Sequence, residues 1–312
     1  MNEIDNLKTL AYRSKVKYID LRLDYAFKLV FGTHGNEDML LLLVQSILPD
    51  RNITRVTLTD KENVGLRPYS RKSVFDISCV TSGGTLLNIE MQYKAQDDFN
   101  NRLLFYSTFP IYNSVAPGDS KTDTYDPEPL CMIGITDYVL KRIRDNDEFI
   151  NSYHIKNDRD SEIVFTDSVC YVTVELPKFT KELKDLENDS DRLFYLLKNI
   201  GGMKSMPEEF KHTRLEKLFR LCNFASMERD IQMEYIREWM AQVDERSRMR
   251  TAVQEGEARG EARGEARGEA RGEARGEAKA RSSMAKKLKD LGIPAETIAQ
   301  ASGLSVEEIA AL

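Results

Sequence analysis

Residues 74–92, VFDISCVTSGGTLLNIEMQ, carry two apolar-rich runs on either side of a Ser-Gly-Gly turn. That pattern predicts two antiparallel strands joined tightly, and it limits which side chains can meet. Asp76 falls on the first strand between Phe75 and Ile77, while Glu90 and Gln92 stand two apart on the second. Alternate strand positions face the same way, so Glu90 and Gln92 project together, and Asp76 converges on them if the hairpin is in register. Two carboxylates and an amide oxygen suit Mg2+, which takes oxygen ligands and keeps several waters for chemistry on phosphates. Spacing alone leaves a second reading open, because acidic residues on the solvent face of a hairpin are common. Against it, carboxylates in a hydrophobic hairpin are costly unless paired or metal-bound.

The rest of the chain reads as an α/β core followed by helices. Residues 24–31 and 36–48 have helical patterning up to Pro49, and 53–59 alternate like a strand. Residues 98–114 space apolar side chains by three and four, which predicts a helix turning Leu103, Leu104, Tyr106 and Phe109 inward. A Pro-, Gly- and Asp-rich loop at 116–129 precedes two further strands, PLCMIGITDYVL and SEIVFTDSVCYVTVEL, with a charged turn between them. This order suits a mixed central sheet. From Phe179 the pattern is helical, with Trp239 at helical offsets from Ile231, Tyr235 and Ile236 in a packing or interface position.

Gly-Glu-Ala-Arg then occurs five times in succession, ending in Gly-Glu-Ala-Lys. Each Gly costs a helix about 1 kcal/mol relative to Ala, and no residue of the unit is apolar and larger than Ala, so a helical or fraying spacer is expected rather than a core. After it, Pro294, Gly303 and a Ser305–Glu308 capping box predict a small helix-turn-helix-like module. Its last helix, VEEIAAL, holds two acids and no base, which argues for docking or oligomerisation over base reading. The expected divisions are 1–200 for the core, 201–255 for a helical extension, 256–280 for the repeat and 281–312 for the terminal module.

Four segments resemble the recombination-promoting nuclease (Rpn) family, of the PD-(D/E)XK nuclease family transposases. They are Asp24-Tyr-Ala-Phe27-Lys28-Leu-Val-Phe31-Gly32 with Asn36 and MLLLLVQSIL; the Asp76 strand; Asn88-Ile-Glu90-Met-Gln92 with a helix carrying Arg102 and Tyr106; and Glu175-Leu-Pro-Lys178-Phe179. The resemblance implies a PD-(D/E)XK (restriction-endonuclease-like) fold and a DNA endonuclease using Mg2+ or another divalent cation, with Asp76 and Glu90 as metal ligands and Gln92 as the third catalytic residue. Gln92 stands where the superfamily usually has a lysine, although Gln is typical of this family; it can offer oxygen but no positive charge. Lys94 and Lys28 are the auxiliary candidates for that charge, beside the reading of both as ordinary solvated lysines. Asp24 is either a helix cap, the favoured reading, or a group beside the metal. The family also implies roles in mobile-element recombination or phage defence, and a separately made C-terminal fragment acting as inhibitor, for which Met240 and Met249 offer internal starts.

Composition bears on partners. The net charge of −6 from 45 basic and 51 acidic residues is mildly adverse to DNA binding, which draws on basic residues that displace counterions. Local clusters at Arg67, Arg71 and Lys72, and at Lys211, His212, Arg214, Lys217 and Arg220, are the candidate basic surfaces. Cys79, Cys131, Cys170 and Cys222 are scattered with no C-x-x-C, so buried reduced thiols are expected and a zinc site is not. No apolar run is long enough to span a membrane and MNEIDNLKTLAYRSK lacks an apolar export core, so a cytoplasmic location is expected. Two other classes stay in play: a non-catalytic assembly protein on a degenerate nuclease fold, and a transcription factor acting through 281–312.

Overall fold

The computed structural model describes residues 16–59, 75–115, 127–141 and 146–312. Two helices, α1 (Asp24–Phe31) and α2 (Glu37–Ile47), precede strand β1 (Val56–Leu58) and the hairpin of β2 (Ile77–Thr81) and β3 (Leu86–Gln92). Helix α3 (Phe99–Ser114) leads to β4 (Leu130–Thr136), β5 (Ile150–Lys156) and β6 (Val164–Glu175). One six-stranded sheet results, in the order β1-β2-β3-β4-β6-β5. Its centre is parallel, β3 with β4 and β4 with β6, and its flanking pairs are antiparallel. A parallel neighbour needs a crossover, and α3 supplies it between β3 and β4.

Strand alternation sorts the sheet into two faces. Leu87, Ile89 and Met91 of β3, with Cys131, Ile133 and Ile135 of β4, turn toward the large core with α1 and α2. Leu130 and Met132 of β4 turn the other way, against Phe99 and Leu103 of α3. Gly134 lies on that second face, opposite Glu90 in the β3–β4 register. A Cβ there would stand 2.6 and 2.7 Å from ring carbons of Phe99 and 2.9 Å from Leu103 Cδ1. Only a missing side chain lets α3 lie this close to the sheet.

The later helices are α4 (Asp189–Asn199), α5 (Glu216–Leu221), α6 (Arg229–Asp290), α7 (Ala295–Ser302) and α8 (Val306–Ala310). Phe210, Leu218, Phe224, Tyr235 and Ile236 are buried in the same core as the sheet, so the chain as far as the start of α6 shares it. The chain separates into two compact units, Met1–Met240 and Ala241–Leu312. The second has its own small core of Ala285, Ile298 and Ile309. There Gly303 takes a positive φ of 71° as the C-cap of α7, and Ser305 and Glu308 form the capping box of α8. The repeat is helical and exposed throughout. Its four-residue period places Glu four residues from Glu and Arg four from Arg, the like-charge spacing that disfavours a helix.

Several sequence expectations need correction. Asp76 lies one residue before β2 rather than within a strand. Leu104 is exposed, because the sheet-facing side of α3 is set by Phe99, Leu103 and Ser107. Strand β5 replaces part of the expected charged turn; its sequence INSYHIK is mostly exposed and carries little apolar signal. The basic cluster at 211–220 is largely neutralised: Lys211 pairs with Glu208, Arg214 with Asp189 (2.7 Å), Lys217 with Asp38 (2.6 Å) and Arg220 with Glu216 (3.9 Å). Arg67, Arg71 and Lys72 lie outside the described residues. All four cysteines are free and buried, and among the described residues no helix is long and apolar enough to cross a membrane.

Gly134→Ala tests the closeness of α3. Forcing a methyl against a buried ring is expected to cost about 1–3 kcal/mol, read as a lower Tm in thermal denaturation. An unchanged Tm would show that α3 yields freely.

Candidate active site

The start of β2 and the end of β3 set the site. Ile77 pairs with Ile89 and Ser78 with Asn88, and Asp76 stands one residue before that pairing begins, near the end of β3. The Asp76 carboxylate also accepts the Met91 N–H at Oδ2 (2.7 Å), which fixes it to the neighbouring strand.

Each carboxylate has its own cation. Lys28 Nζ on α1 lies 2.9 Å from Asp76 Oδ1. Arg102 on α3 pairs with Glu90 Oε1. The guanidinium also donates to Gln92 Oε1 (3.3 Å) and Gln96 Oε1 (3.1 Å). Gln92 Nε2 donates in turn to the Lys94 carbonyl at 3.3 Å, so Lys94 enters the site through its backbone. The cations form the outer layer: the Lys28 and Arg102 side chains are 41% and 31% exposed, those of Asp76 and Glu90 only 8% and 4%.

Asp24 belongs to this cluster but does not cap α1. The N-cap position is Leu23, with no side-chain cap, and Asp24 is the first helical residue. The cap comes from afar: Glu238 of α6 accepts the Tyr25 N–H at 3.0 Å, an oxygen at a helix N-terminus where negative charge is favoured. The segment before α1 is fixed by Arg22, which spans Asp20 (2.7 Å) and Asp137 (3.1 Å), while the Asp137 N–H donates to the Gln92 carbonyl. Lys28 and Asp24 are thereby held at the end of β3.

Burial pushes Glu90 up to about 7, against the Arg102 guanidinium and helped by the negative charges of Asp76 and Asp24. Burial likewise raises Asp24 to about 7, reinforced by Asp76 and Glu238 and opposed by Lys28 and Arg102. Glu238 is also raised, by burial first, although the α1 N–H groups work to hold it down.

The donor set fits a divalent cation on one specific point. Glu90 Oε2 is buried and has no hydrogen-bond partner among the described residues, although a buried carboxylate oxygen is costly when unsatisfied. No group of three or more His, Cys, Asp or Glu side chains gathers as a metal set among the described residues. Mg2+ does not need one, since one or two carboxylates with waters and substrate oxygens hold it.

A family model described as PD-(D/E)XK nuclease family transposase matches residues 21–252. The chain belongs to that family. The PD-(D/E)XK match agrees with the mixed sheet flanked by helices, and it covers every residue of the cluster from Asp24 to Glu238. No curated protein and no solved structure matches the chain.

Of the sequence-derived candidates, the fold brings Asp24, Lys28, Asp76, Glu90 and Gln92 to one end of β3. The sequence assigns no site role to three residues of this cluster. Arg102 and Gln96 follow Gln92 by ten and four positions, and the signal for Arg102 was a cation on the helix that must cross the strand carrying Glu90. Glu238 gave none, because 148 residues separate it from Glu90.

The raised carboxyls make stability depend on pH. With Glu90 near 7 when folded and 4.5 ordinarily, the folded state binds that proton more tightly than the unfolded chain. This contribution is full below pH 4.5 and is lost as pH rises through 7. Without divalent cation, Tm is expected to fall between pH 5 and 8, and Glu90→Gln to remove much of the fall. Equal slopes in both proteins would assign the titration to other groups.

Proposed function

We propose that this chain is a divalent-metal-dependent DNA endonuclease that hydrolyses phosphodiester bonds, resembling the recombination-promoting nucleases and serving mobile-element recombination or phage defence. The observation carrying the reading is the bare Glu90 Oε2, buried beside Asp76 at the end of β3. Asp76 and Glu90 would hold Mg2+ or a similar cation, with Gln92 Oε1 beside them. When bound, such an ion lowers the pKa of a water and neutralises charge on a phosphoryl group.

The chain's own residues do the positioning. Met91 N–H and Lys28 orient the Asp76 carboxylate, and α3 shields Glu90 from bulk solvent. Lys28, at the outer layer, is placed to meet an anionic backbone. Assembly through the helical C-terminal region, and a C-terminal fragment started at Met240 or Met249 that acts as inhibitor, belong to the same reading. They draw support from the terminal core of Ala285, Ile298 and Ile309, which lies wholly beyond both methionines.

A second reading has its own observation. Lys28 and Arg102 already neutralise the two carboxylates, and Gln92 supplies no charge. A non-catalytic assembly protein on a degenerate nuclease fold would need nothing more.

Plasmid nicking separates the two. The unmodified chain with Mg2+ is expected to nick supercoiled DNA, and Asp76→Ala and Glu90→Ala to lose at least about 100-fold in rate. EDTA should abolish nicking in all three. Equal cutting by all three proteins would place the activity elsewhere, and no cutting with Mg2+ or Mn2+ would favour the assembly reading.

A further inference from the structure

Cys131 and Cys170 stand side by side across the parallel pair of β4 and β6, as register partners. Both turn to the sheet face packed by α1 and α2. Glu90 lies opposite Gly134 on the other face, so the two thiols form a place separate from the nuclease cluster. Neighbouring strands run about 4.8 Å apart, within the Cα separation that a disulfide spans. Both thiols are free in this structure, and Cys131 donates a hydrogen bond to Cys170.

The surroundings of Cys170 set it apart from the other cysteines. Arg51 Nη2 donates to its Sγ at 3.0 Å, and among the described residues that sulfur is the partner of the guanidinium while no carboxylate balances its charge. A cation left to a sulfur favours the thiolate, the nucleophilic form. The Cys131 hydrogen bond and the Arg51 charge draw Cys170 down to about 7 against the effect of burial. Burial alone pushes Cys79 up to about 12, and Cys222 is raised by burial first. Cys170 is only 2% exposed, so its access is indirect. A cavity of about 260 Å3 is lined by Arg51 and by Leu87, the register partner of Cys131. A small molecule there meets the same guanidinium that touches Cys170. The β5–β6 ladder also breaks at this point: His154 pairs with Cys170 but Ile155 with Thr166, which leaves Asp167, Ser168 and Val169 without β5 partners. Irregularities of this kind recur next to reactive side chains.

We propose that Cys170 and Cys131 are a peroxide-reactive thiol pair, in which Cys170 attacks the oxidant and Cys131 closes a reversible disulfide between β6 and β4. In the first step the Cys170 thiolate bonds to a peroxide oxygen, the O–O bond breaks, and the departing oxygen takes up a proton and leaves as water or an alcohol. Cys170 is then a sulfenic acid. In the second step the Cys131 sulfur bonds to the Cys170 sulfur and the S–O bond breaks. The hydroxide that leaves takes the Cys131 proton and departs as water. Two thiols lose two electrons and the peroxide gains them. Arg51 exchanges no proton; it holds the thiolate and offsets its charge. None of this rests on the nuclease reading.

Hydrogen peroxide on the reduced full chain tests this, with free thiols blocked after denaturation and the digest read by mass spectrometry. One bridge is expected, joining the Cys131 and Cys170 peptides and reopened by dithiothreitol, while Cys79 and Cys222 stay free. With dimedone present, Cys131→Ser is expected to gain the sulfenic-acid adduct at Cys170, and Cys170→Ser to gain none at Cys131. At pH 7, Arg51→Leu is expected to close the bridge about tenfold more slowly, with Arg51→Lys keeping most of the rate. A bridge between any other pair, oxidation of Cys79 or Cys222 at an equal rate, or four free thiols after excess peroxide overturns the proposal. An undiminished rate in Arg51→Leu overturns the part given to Arg51. The digest of the unmodified chain decides the site by itself, so the proposal stays open to refutation should any of the variants not fold.

Discussion

A carboxylate sits buried on a sheet face that helix α3 covers with Phe99 and Leu103, and the arrangement around it follows from that one placement. Glu90 stands buried near the end of β3, on the sheet face where Phe99, Leu103 and Met132 pack, and an unpaired charge there would be costly. Arg102 makes the placement tolerable by bringing a cation from the very helix that does the covering. Gly134, in the adjacent strand, lets that helix come close enough for the pair to form. The chemistry of the site and the packing of α3 are therefore one problem with one solution.

The same logic extends outward. Asp76 is fastened to β3 through the Met91 amide and is neutralised from the other side by Lys28. Glu175, the acid of the fourth family-like segment, does something different: its Oε2 accepts the Leu140 N–H at 2.9 Å and its Oε1 lies 3.6 Å from Lys178. It secures the chain after β4. One acid of the recognisable pattern thus serves architecture, while Asp76 and Glu90 each pair with a cation at the end of β3.

Much of this was legible in the sequence, and the reasons are physical. The pairing of β2 with β3 and the facing of Glu90 and Gln92 follow from a two-residue period that holds from Ile77 onward and is broken at Asp76. The terminal module was readable because capping chemistry is local: Ser305, Glu308 and Gly303 act within a turn of themselves. What escaped depended on distance. Asp24 looked like a cap from its neighbours alone, yet the amides of α1 are served by Glu238 from a helix more than two hundred residues away. In the cluster at 211–220, the partners of Arg214 and Lys217, Asp189 and Asp38, lie elsewhere in the chain, so the sequence overstates its positive charge. Strand β5 escaped because an exposed edge strand needs no apolar alternation.

The distant origin of the α1 cap has an outcome for any shortened form of this protein. Glu238 lies upstream of Met240 and Met249, so a product begun at either methionine owns the terminal core but lacks the carboxylate that caps α1. Conversely, severing the polypeptide ahead of Glu238 does more than shed a tail. It strips the amide end of the helix bearing Asp24 and Lys28, and leaves a vacancy of positive polarity for some other anion to fill.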